Sequence, residues 1–248
     1  FRMIRVAVTG YLGRMGSEVV RAVTAEADME VVAAIEVGDN LAASLTESKA
    51  QVMVDFTIPE TAFSNIITAL ECGVIPVVGT TGLTAAQLAE LDTRSKALGI
   101  PVLVIPNFAI GAVLMMQMSA MAAKYLPDAE VIEYHHEKKV DAPSGTAMKT
   151  AQMIHESRTQ AASPLPSGAF ESVPGSRGGM AFETVPVHAV RLPGYVASQE
   201  VIFGAPGQRL SIRHDSIDRT SFMPGVVLSV RKAIGRTGLT YGLEHLLT

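Results

Sequence analysis

The sequence predicts an α/β protein with a Rossmann-like, doubly wound parallel sheet, followed by a second α+β domain that contains a mixed sheet. Two patterns support this prediction. Over the first hundred residues, short runs rich in valine and isoleucine alternate with helix-like segments, which is typical of parallel strands buried on both faces. From about Asn107 this alternation stops, and three later strand-like runs follow one another without intervening helices, which indicates antiparallel or mixed pairing.

The first domain is expected to hold five strands separated by helices. We predict strands at residues 5–9, 31–35, 52–56, 76–78 and 102–105, and helices near residues 15–25, 60–72 and 84–98. Pro59 suits the first turn of its helix, because the N–H that proline lacks would have no partner there. Thr84 and Gln87 have the spacing of a capping box, in which each side chain binds the backbone N–H of the other residue.

The second part begins with a methionine-rich helix, expected from about Ile110 to Tyr125. Its methionines are interpreted as core or interface packing: Met115, Met116, Met118 and Met121. Residues 159–182 are rich in proline, glycine, serine and alanine, so we expect a long loop there. Around this loop we predict a strand, a helix, three strands and a last helix, at residues 130–135, 146–158, 184–191, 197–203, 210–215 and 222–234.

Composition narrows the class of protein. Hydrophobic residues make up 48% of the chain and charged residues 18%, and the net charge of -4 shows no basic excess, which argues against nucleic-acid binding. The single cysteine, Cys72, cannot form an internal disulfide, no apolar run is long enough to span a bilayer, and no signal peptide opens the chain. We therefore expect a cytoplasmic protein with no membrane partner, and we assign no function to Phe1 and Arg2.

A glycine-rich turn, GYLGRMG at residues 10–16, joins the first strand to the first helix. Glycines at such a junction permit a tight turn and close approach of a pyrophosphate, and the helix N-terminus attracts the anion. The spacing departs from the standard dinucleotide fingerprint, because Leu12 stands where the middle glycine is expected. The strand–turn–helix context still favours a cofactor site at this turn, where Arg14 could add a charge-assisted contact to the anion.

Glu36 ends the second predicted strand, twenty residues after Gly16, where a carboxylate can bind ribose hydroxyls. Val37 follows it, so no adjacent arginine is present to bind a 2′-phosphate, and the carboxylate would repel that phosphate. We therefore predict that NADH is preferred over NADPH, although Arg14 could support some NADPH binding. The competing interpretation is an ordinary tight turn with a solvated glutamate.

Further strand ends carry polar loops. In open α/β sheets, ligands bind outside the carboxyl ends of the strands. We therefore expect three loops to face the cofactor, with simple turn chemistry as the alternative. They are Phe56 and Thr57 after the third strand, Gly79, Thr80 and Thr81 after the fourth, and Ile105, Pro106, Asn107 and Phe108 after the fifth.

A basic cluster, which includes His135, His136 and Lys139, directly follows the strand predicted at 130–135, and the sequence PSGT opens the next helix. Histidine suits proton donation near neutral pH, and a neighbouring lysine can bind a carboxylate or balance charge. Gly145 and Thr146 at the helix N-terminus offer N–H groups and a hydroxyl to an anion. These residues predict a reductase site for a small anionic substrate.

Two other interpretations of the basic cluster are possible. Adjacent histidines on an extended chain point to opposite faces, so His135 and His136 are not expected to bind one metal ion together. No nearby cysteine or H-E-x-x-H spacing supports zinc, and we predict no metal site. The remaining alternative is a solvated basic run.

Several segments resemble the dihydrodipicolinate reductase family, and together they cover nearly the whole chain. The most specific is EYHHEKKVDAPSGTA at residues 133–147. Runs similar to IRHDSIDRTSF at 212–222 occur in the actinobacterial branch of the family. The other segments are VAVTGYLGRMG near the start, VDFTIP at 54–59, VVGTTG at 77–82, IPNFAIGAV at 105–113 and VPVHAV at 185–190.

The resemblance implies a dinucleotide-binding domain at residues 1–108 and 219–248, and a substrate-binding and oligomerisation domain at residues 109–218, with hinges between them and usually a homotetramer. It implies NAD(P)H-dependent reduction of 4-hydroxy-tetrahydrodipicolinate (dihydrodipicolinate) in lysine and diaminopimelate biosynthesis. Tyr11 and Leu12 stand where many family members have small or basic residues, which could change the cofactor preference. By motif position, the proton donor would be His135 with Lys139 as its partner, and the substrate carboxylates would bind to His136, Gly145 and Thr146. The resemblance also implies that the cofactor binds to Gly10, Tyr11, Leu12, Gly13, Arg14 and Met15, to Glu36, and to the segments 79–81 and 105–108.

Other functions stay open at this point. Another small amino-acid or keto-acid dehydrogenase, such as an aspartate or homoserine type, would use the same cofactor domain. A thioester-forming semialdehyde dehydrogenase is disfavoured, because Cys72 falls within a predicted helix. A non-catalytic NAD-sensing protein would not need His135 and Lys139, and both are present.

Overall fold

The computed structural model describes residues 3–247, and these form two compact units. The first unit comprises residues 3–110 and 219–247, and the second comprises residues 111–218. Phe1 and Arg2 lie outside the described residues, as does Thr248. Within the described range, every helix is too short or too polar to span a bilayer.

The first unit is built on a parallel sheet, whose strands are numbered in chain order through the whole protein: β1 (Ile4–Thr9), β2 (Met29–Ile35), β3 (Val52–Asp55), β4 (Ile75–Val78), β5 (Val102–Val104) and β11 (Leu239–Tyr241). Their order across the sheet is β11-β5-β4-β3-β1-β2, and every neighbouring pair is parallel. The direction of winding reverses between β1 and β3. Open α/β sheets bind their ligands at the carboxyl ends of the strands beside such a reversal.

Helices cover both faces of this sheet. They are α1 (Gly16–Ala25), α2 (Leu41–Ser48), α3 (Pro59–Glu71), α4 (Ala85–Leu98) and α7 (Met223–Ala233), with short 3-10 helices at Arg219–Phe222 and Leu243–Leu246. Successive residues of the central strands are all buried, for example Val6 to Val8 in β1 and Val52 to Val54 in β3. Burial on both faces requires layers on both sides, so the predicted doubly wound sheet is confirmed.

The helix starts that the sequence marks most clearly are also confirmed. Pro59 occupies the first turn of α3. Thr84 and Gln87 form the capping box of α4, in which the Gln87 N–H donates to Thr84 Oγ1 at 3.2 Å and the Thr84 N–H donates to Gln87 Oε1 at 2.8 Å. Local side-chain chemistry alone therefore sets these boundaries.

Two elements of the first unit are absent from the prediction. α2 is eight residues long and mostly small or polar, so its sequence has little helical periodicity; Asn40 caps it by accepting a hydrogen bond from the Ala43 N–H at 3.1 Å. β11 has only three residues and exists as a strand because it pairs with β5 at the sheet edge.

The second unit holds five strands: β6 (Asp128–His135), β7 (Gly179–Ala181), β8 (Val185–Arg191), β9 (Ala197–Ala205) and β10 (Gln208–Ser216). They pair in the order β10-β9-β6-β8-β7. β6 and β8 are parallel, whereas the other neighbours are antiparallel, so the predicted mixed sheet is confirmed. The short β7 lies inside the segment predicted to be a continuous loop, residues 159–182, and forms by pairing with β8 at the sheet edge.

Two helices accompany this sheet: α5 (Ile110–Ala123) and α6 (Gly145–Ser157). Ala151 and Ile154 of α6 share a fully buried cluster with Val131 of β6 and with Val201 and Phe203 of β9. Strand residues therefore alternate between this core and the other face of the sheet.

The methionines of α5 fall into two sets. Met115 and Met116 are buried, as core packing predicts, whereas Met118 and Met121 are 47% and 61% exposed. The helix is apolar on several sides, so its sequence could not show which methionines face the core.

Candidate functional site

The glycine turn after β1 is shaped by contacts that only glycine permits. Gly10 has φ of 73°, and a Cβ placed on it would lie 2.8 Å from the carbonyl oxygen of Phe56. A Cβ on Gly16 would overlap the carbonyl oxygen of Gly10. The Gly13 N–H donates to that same oxygen at 3.0 Å. The turn is therefore held close to the first residues of α1.

The N-terminus of α1 suits an anion. No side chain caps the helix at Met15, and the first N–H groups of a helix have no partners within it. Arg14 is exposed beside this end of the helix. Backbone N–H groups, the helix dipole and a nearby cation together fit a pyrophosphate, which is the group that the turn was predicted to bind.

Glu36 is fixed against the glycine turn. Its Oε1 accepts a hydrogen bond from the Leu12 N–H at 2.6 Å, although Leu12 itself is 73% exposed. The donor is the backbone N–H of Leu12, which a glycine at this position would also supply. The departure from glycine to leucine therefore leaves this hydrogen bond intact. A cleft of about 420 Å³ opens here, and its lining includes Gly10, Gly13, Glu36 and Asp39.

A second cleft, of about 330 Å³, adjoins the first through Gly13. Arg14, Met15, Phe56 and Thr57 line it, together with the loop predicted to face the cofactor, Gly79, Thr80 and Thr81. A side chain on Gly79 would overlap the ring of Phe56. The first unit thus brings together most of the residues predicted to bind the cofactor.

The loop after β5 is placed differently. Ile105 and Phe108 are buried, and the Phe108 ring packs against the Phe56 ring with a centroid distance of 5.4 Å. Asn107 accepts a hydrogen bond from the Ala109 N–H at 2.9 Å, and Pro106 is exposed. Ile105 and Phe108 therefore contribute to the core, and direct cofactor contact by this loop stays a prediction.

Asp55, at the end of β3, organises the cofactor loops and was not among the predicted site residues. Its side chain is completely buried and accepts five hydrogen bonds. The donors are the hydroxyls of Thr9, Thr57 and Thr80, the N–H of Thr57 and the amide of Asn65, at 2.8 to 3.1 Å. One carboxyl group thus joins the ends of β1, β3 and β4 to α3.

In the second unit, His135 at the end of β6 is held by a buried carboxylate. Its Nδ1 contacts Oε2 of Glu133, whose side chain has no exposed surface. Arg191 of β8 binds the same carboxylate in a bidentate manner, with Nη1 to Oε2 at 2.9 Å and Nη2 to Oε1 at 2.7 Å. The Ser144 N–H completes the set by donating to Oε1 at 3.1 Å.

These partners keep Glu133 ionised. Burial opposes the charged form and alone would raise the pKa of Glu133. The hydrogen bonds and charges of His135 and Arg191 outweigh burial and hold the pKa of Glu133 below its ordinary value. A buried negative charge therefore lies directly against the imidazole of His135.

The other predicted residues of this site lie in the segment after β6. Lys139 Nζ donates to Asp141 Oδ1 at 2.7 Å, and this bond holds the pKa of Asp141 below its ordinary value. His136 is half-buried. Gly145 and Thr146 form the first turn of α6, which Ser144 caps by accepting a hydrogen bond from the Ala147 N–H at 3.2 Å. The segment therefore combines basic side chains with a helix N-terminus.

Glu133, Arg191 and Ser144 were missed as site residues, although the sequence holds a signal for one of them. Residues two apart on a strand share a face, so Glu133 had to lie on the same face as His135. Arg191 is far away in the sequence and reaches the site only because β8 pairs with β6. Among residues 3–247, no group of three or more histidine, cysteine, aspartate or glutamate side chains is arranged to hold a metal ion.

The doubly wound parallel sheet, with a glycine turn that leads into α1, is the fold of a dinucleotide-binding protein. Residues 4–108 match the family model described as dihydrodipicolinate reductase, N-terminus, and residues 111–247 match the model described as dihydrodipicolinate reductase, C-terminus. The chain belongs to the dihydrodipicolinate reductase family, which confirms the resemblance found in the sequence.

Individual relatives agree with the family models. The 4-hydroxy-tetrahydrodipicolinate reductase of Listeria monocytogenes serotype 4b is 49% identical over 264 positions, covering 98% of this chain and all of the relative. That of Streptomyces coelicolor is 51% identical over 246 positions and covers 98% of each chain. The solved structure of dipicolinate-bound dihydrodipicolinate reductase from Paenisporosarcina sp. TG-14 has a TM-score of 0.89 and 39% identity, covering 98% of this chain and 99% of that one.

Proposed function

We propose that the protein reduces 4-hydroxy-tetrahydrodipicolinate (dihydrodipicolinate) to tetrahydrodipicolinate in the lysine and diaminopimelate pathway of the cytoplasm. The observation that carries this proposal is the second-unit site, where the buried Glu133 binds both His135 and the Ser144 N–H at the N-terminus of α6, and Lys139 lies in the segment between them. The names of the relatives and the dipicolinate bound by one of them support the same substrate.

Substrate binding follows from the chemistry of the segment after β6. A ring with two carboxylates needs at least two anion-binding groups. We assign these to Lys139 and His136 and to the first-turn N–H groups of α6 at Gly145 and Thr146, because helix N-termini bind anions. Lys139 would exchange its partner Asp141 for a substrate carboxylate. An exposed ion pair contributes only about 0 to 1 kcal/mol, so this exchange costs little.

The chemistry divides between the bound cofactor and His135. A reduced nicotinamide, when bound, supplies the hydride. His135 would supply the proton that the reduced ring then requires, and Lys139 would balance the negative charge that develops on the substrate. The loops joined by Asp55 would orient the cofactor, because Thr57 and Thr80 are held by its carboxyl group.

The experiment that tests this proposal is NADH oxidation by the purified protein with freshly generated dihydrodipicolinate. We expect rapid oxidation that dipicolinate inhibits competitively. Oxaloacetate with ammonia, aspartate semialdehyde and small keto acids with ammonia serve as comparison substrates for the alternative dehydrogenase functions, because each of them would consume NAD(P)H. Oxidation of NAD(P)H above background with one of these, and none with dihydrodipicolinate, would overturn the proposal.

We also propose that NADH is the preferred cofactor. Of the described residues that line the cleft around Glu36, none is cationic, and Asp39 adds a second carboxylate. Arg14 lines the neighbouring cleft instead, beside Gly79. A 2′-phosphate at the ribose would therefore meet negative charge.

Replacement of Glu36 by glutamine should weaken this preference. The Glu36→Gln side chain can still accept the Leu12 N–H, so the turn is retained while the charge is lost. We expect the ratio of kcat/KM for NADH to that for NADPH to fall about tenfold, equivalent to about 1.4 kcal/mol. Glu47→Gln, which removes an exposed carboxylate from α2, should leave the ratio unchanged. An unchanged ratio in Glu36→Gln would refute the assignment of cofactor choice to this residue.

Finally, we propose that the protein assembles as a homotetramer through the sheet of its second unit. Support comes from membership of the dihydrodipicolinate reductase family, because the resemblance implies a tetramer built through this sheet. Light scattering should give a mass four times that of the 26.2 kDa chain. A monomer mass at micromolar concentration would contradict this assembly.

A further inference from the structure

The carboxylate of Glu133 is unusual in its surroundings. It lies in the core of the second unit, on the face of β6 that carries Val131, with no exposed surface. An ionised group in such a place costs stability that a well-packed apolar side chain would avoid. Its partners come from β6, β8 and the cap of α6, so three separate elements converge on one charge.

We infer that Glu133 is a positioning residue of the reductase, which fixes the protonation pattern of His135. An ionised carboxylate can only accept hydrogen bonds, so Nδ1 of His135 must be the nitrogen that carries a proton towards it. The nitrogen left to exchange a proton with a substrate is then Nε2. This inference rests on the proposed role of His135 as proton donor.

Arg191 determines how much of the negative charge of Glu133 acts on His135. Its bidentate bonds partly neutralise Glu133, and its Nη2 also donates to the carbonyl oxygen of Asp141 at 2.7 Å. The backbone partners of His135 are Arg191 itself on β8 and Ala197 on β9. The segment that follows in the chain carries the exposed Glu137 and Lys138 and the ion pair of Lys139 with Asp141. The charge balance at His135 therefore depends on Glu133 and Arg191, which act with opposite signs.

This opposition gives a test that a purely structural role would fail. A general acid must be protonated, so kcat falls as the pH rises through its titration. Glu133→Gln removes the negative charge and should move the alkaline limb of the kcat profile to lower pH by about one unit. Arg191→Gln leaves Glu133 unbalanced and should move the same limb to higher pH. In Glu133→Gln we also expect kcat to fall about 10- to 100-fold, with KM for the substrate changing less than about threefold.

Glu133→Asp and Glu137→Gln are the matched variants. Aspartate keeps the charge with a shorter reach, so it should lower kcat while leaving the limb near its parental pH. Glu137 is exposed two residues after His135, and its replacement removes a carboxylate from the same segment without touching the buried set. It should leave both kcat and the limb unchanged.

A readout independent of turnover is the reaction of His135 with diethyl pyrocarbonate, which attacks neutral imidazole, followed across pH by peptide mass spectrometry. Its midpoint should shift in the same directions as the kinetic limb. Midpoints that stay fixed, or that move the same way in Glu133→Gln and Arg191→Gln, would overturn the inference. If His135→Gln retained full activity, the proposed function of His135 would fail, and the modification midpoints would still decide whether Glu133 controls its protonation. Should Glu133→Gln not fold, Arg191→Gln and Glu133→Asp decide the question.

Discussion

His135→Gln should lower kcat for dihydrodipicolinate by about 100-fold or more, while KM changes far less. General acid catalysis contributes roughly 10²- to 10⁴-fold. Glutamine is similar in size and can still donate a hydrogen bond, but it cannot deliver a proton. Because the side chain of His135 is only 15% exposed and is held by Glu133, water has poor access to replace it. Steady-state kinetics with substrate generated in the assay measure the loss.

Two further variants show whether the loss is specific to His135. His245→Gln changes an exposed histidine of the first unit and should retain parental kinetics. Lys139→Ala should lower kcat and raise KM together, because the lysine is proposed to bind a substrate carboxylate as well as to balance charge. A His135→Gln variant with the kcat/KM of the parent would show that another group donates the proton.

Asp55→Ala should cause the largest loss of stability among single changes in the first unit. The variant would remove the acceptor of five hydrogen bonds, and only Thr9 and Asn65 keep a second, longer bond, at 3.4 and 3.3 Å. Thr9 and Thr80 are buried. Unsatisfied buried donors cost about 1 to 3 kcal/mol each before relaxation, so we expect a net loss of about 3 kcal/mol or more. For a chain of this size that corresponds to a melting temperature roughly 6 to 12 °C lower.

The same change should also weaken cofactor binding. The hydroxyls of Thr57 and Thr80 both donate to this carboxyl group, so without it both loops would have to be ordered by the ligand. An ordering cost of about 1.4 kcal/mol lowers NADH affinity tenfold. Glu71→Ala, at the exposed end of α3, is the control and should change stability by less than about 0.5 kcal/mol. Parental melting and NADH affinity in Asp55→Ala would contradict the central role given to Asp55.

The elements that could be predicted are those whose signal is local. Buried parallel strands show as apolar runs, and Thr84 with Gln87 or Pro59 mark helix starts through contacts within one turn. Gly10 and Gly16 mark the cofactor turn, because a side chain on either residue would lie too close to neighbouring backbone atoms. By contrast, α2 and β11 are short and carry no strong period, so their form depends on the neighbours that they pack against.

For the site, too, only the residues with a local signal could be predicted from the sequence. The motif residues His135 and Lys139 are only four positions apart in the chain, and their chemistry is visible in the sequence. Asp55 and Glu133 were overlooked because the role of a carboxylate in a strand cannot be inferred until its hydrogen-bond donors are known. Those donors lie up to 58 residues away, as Arg191 does from Glu133.

By itself, the sequence determined the alternation of strands and helices, the glycine turn, the basic cluster and, through its motifs, the family. Only the tertiary structure showed which buried carboxylates hold the site residues in place. Asp55 binds the loops predicted to face the cofactor, and Glu133 binds both His135 and Arg191. The physical reason is that backbone conformation and apolar periodicity are properties of neighbouring residues, whereas the satisfaction of a buried charge depends on strands and helices that meet only in the folded chain.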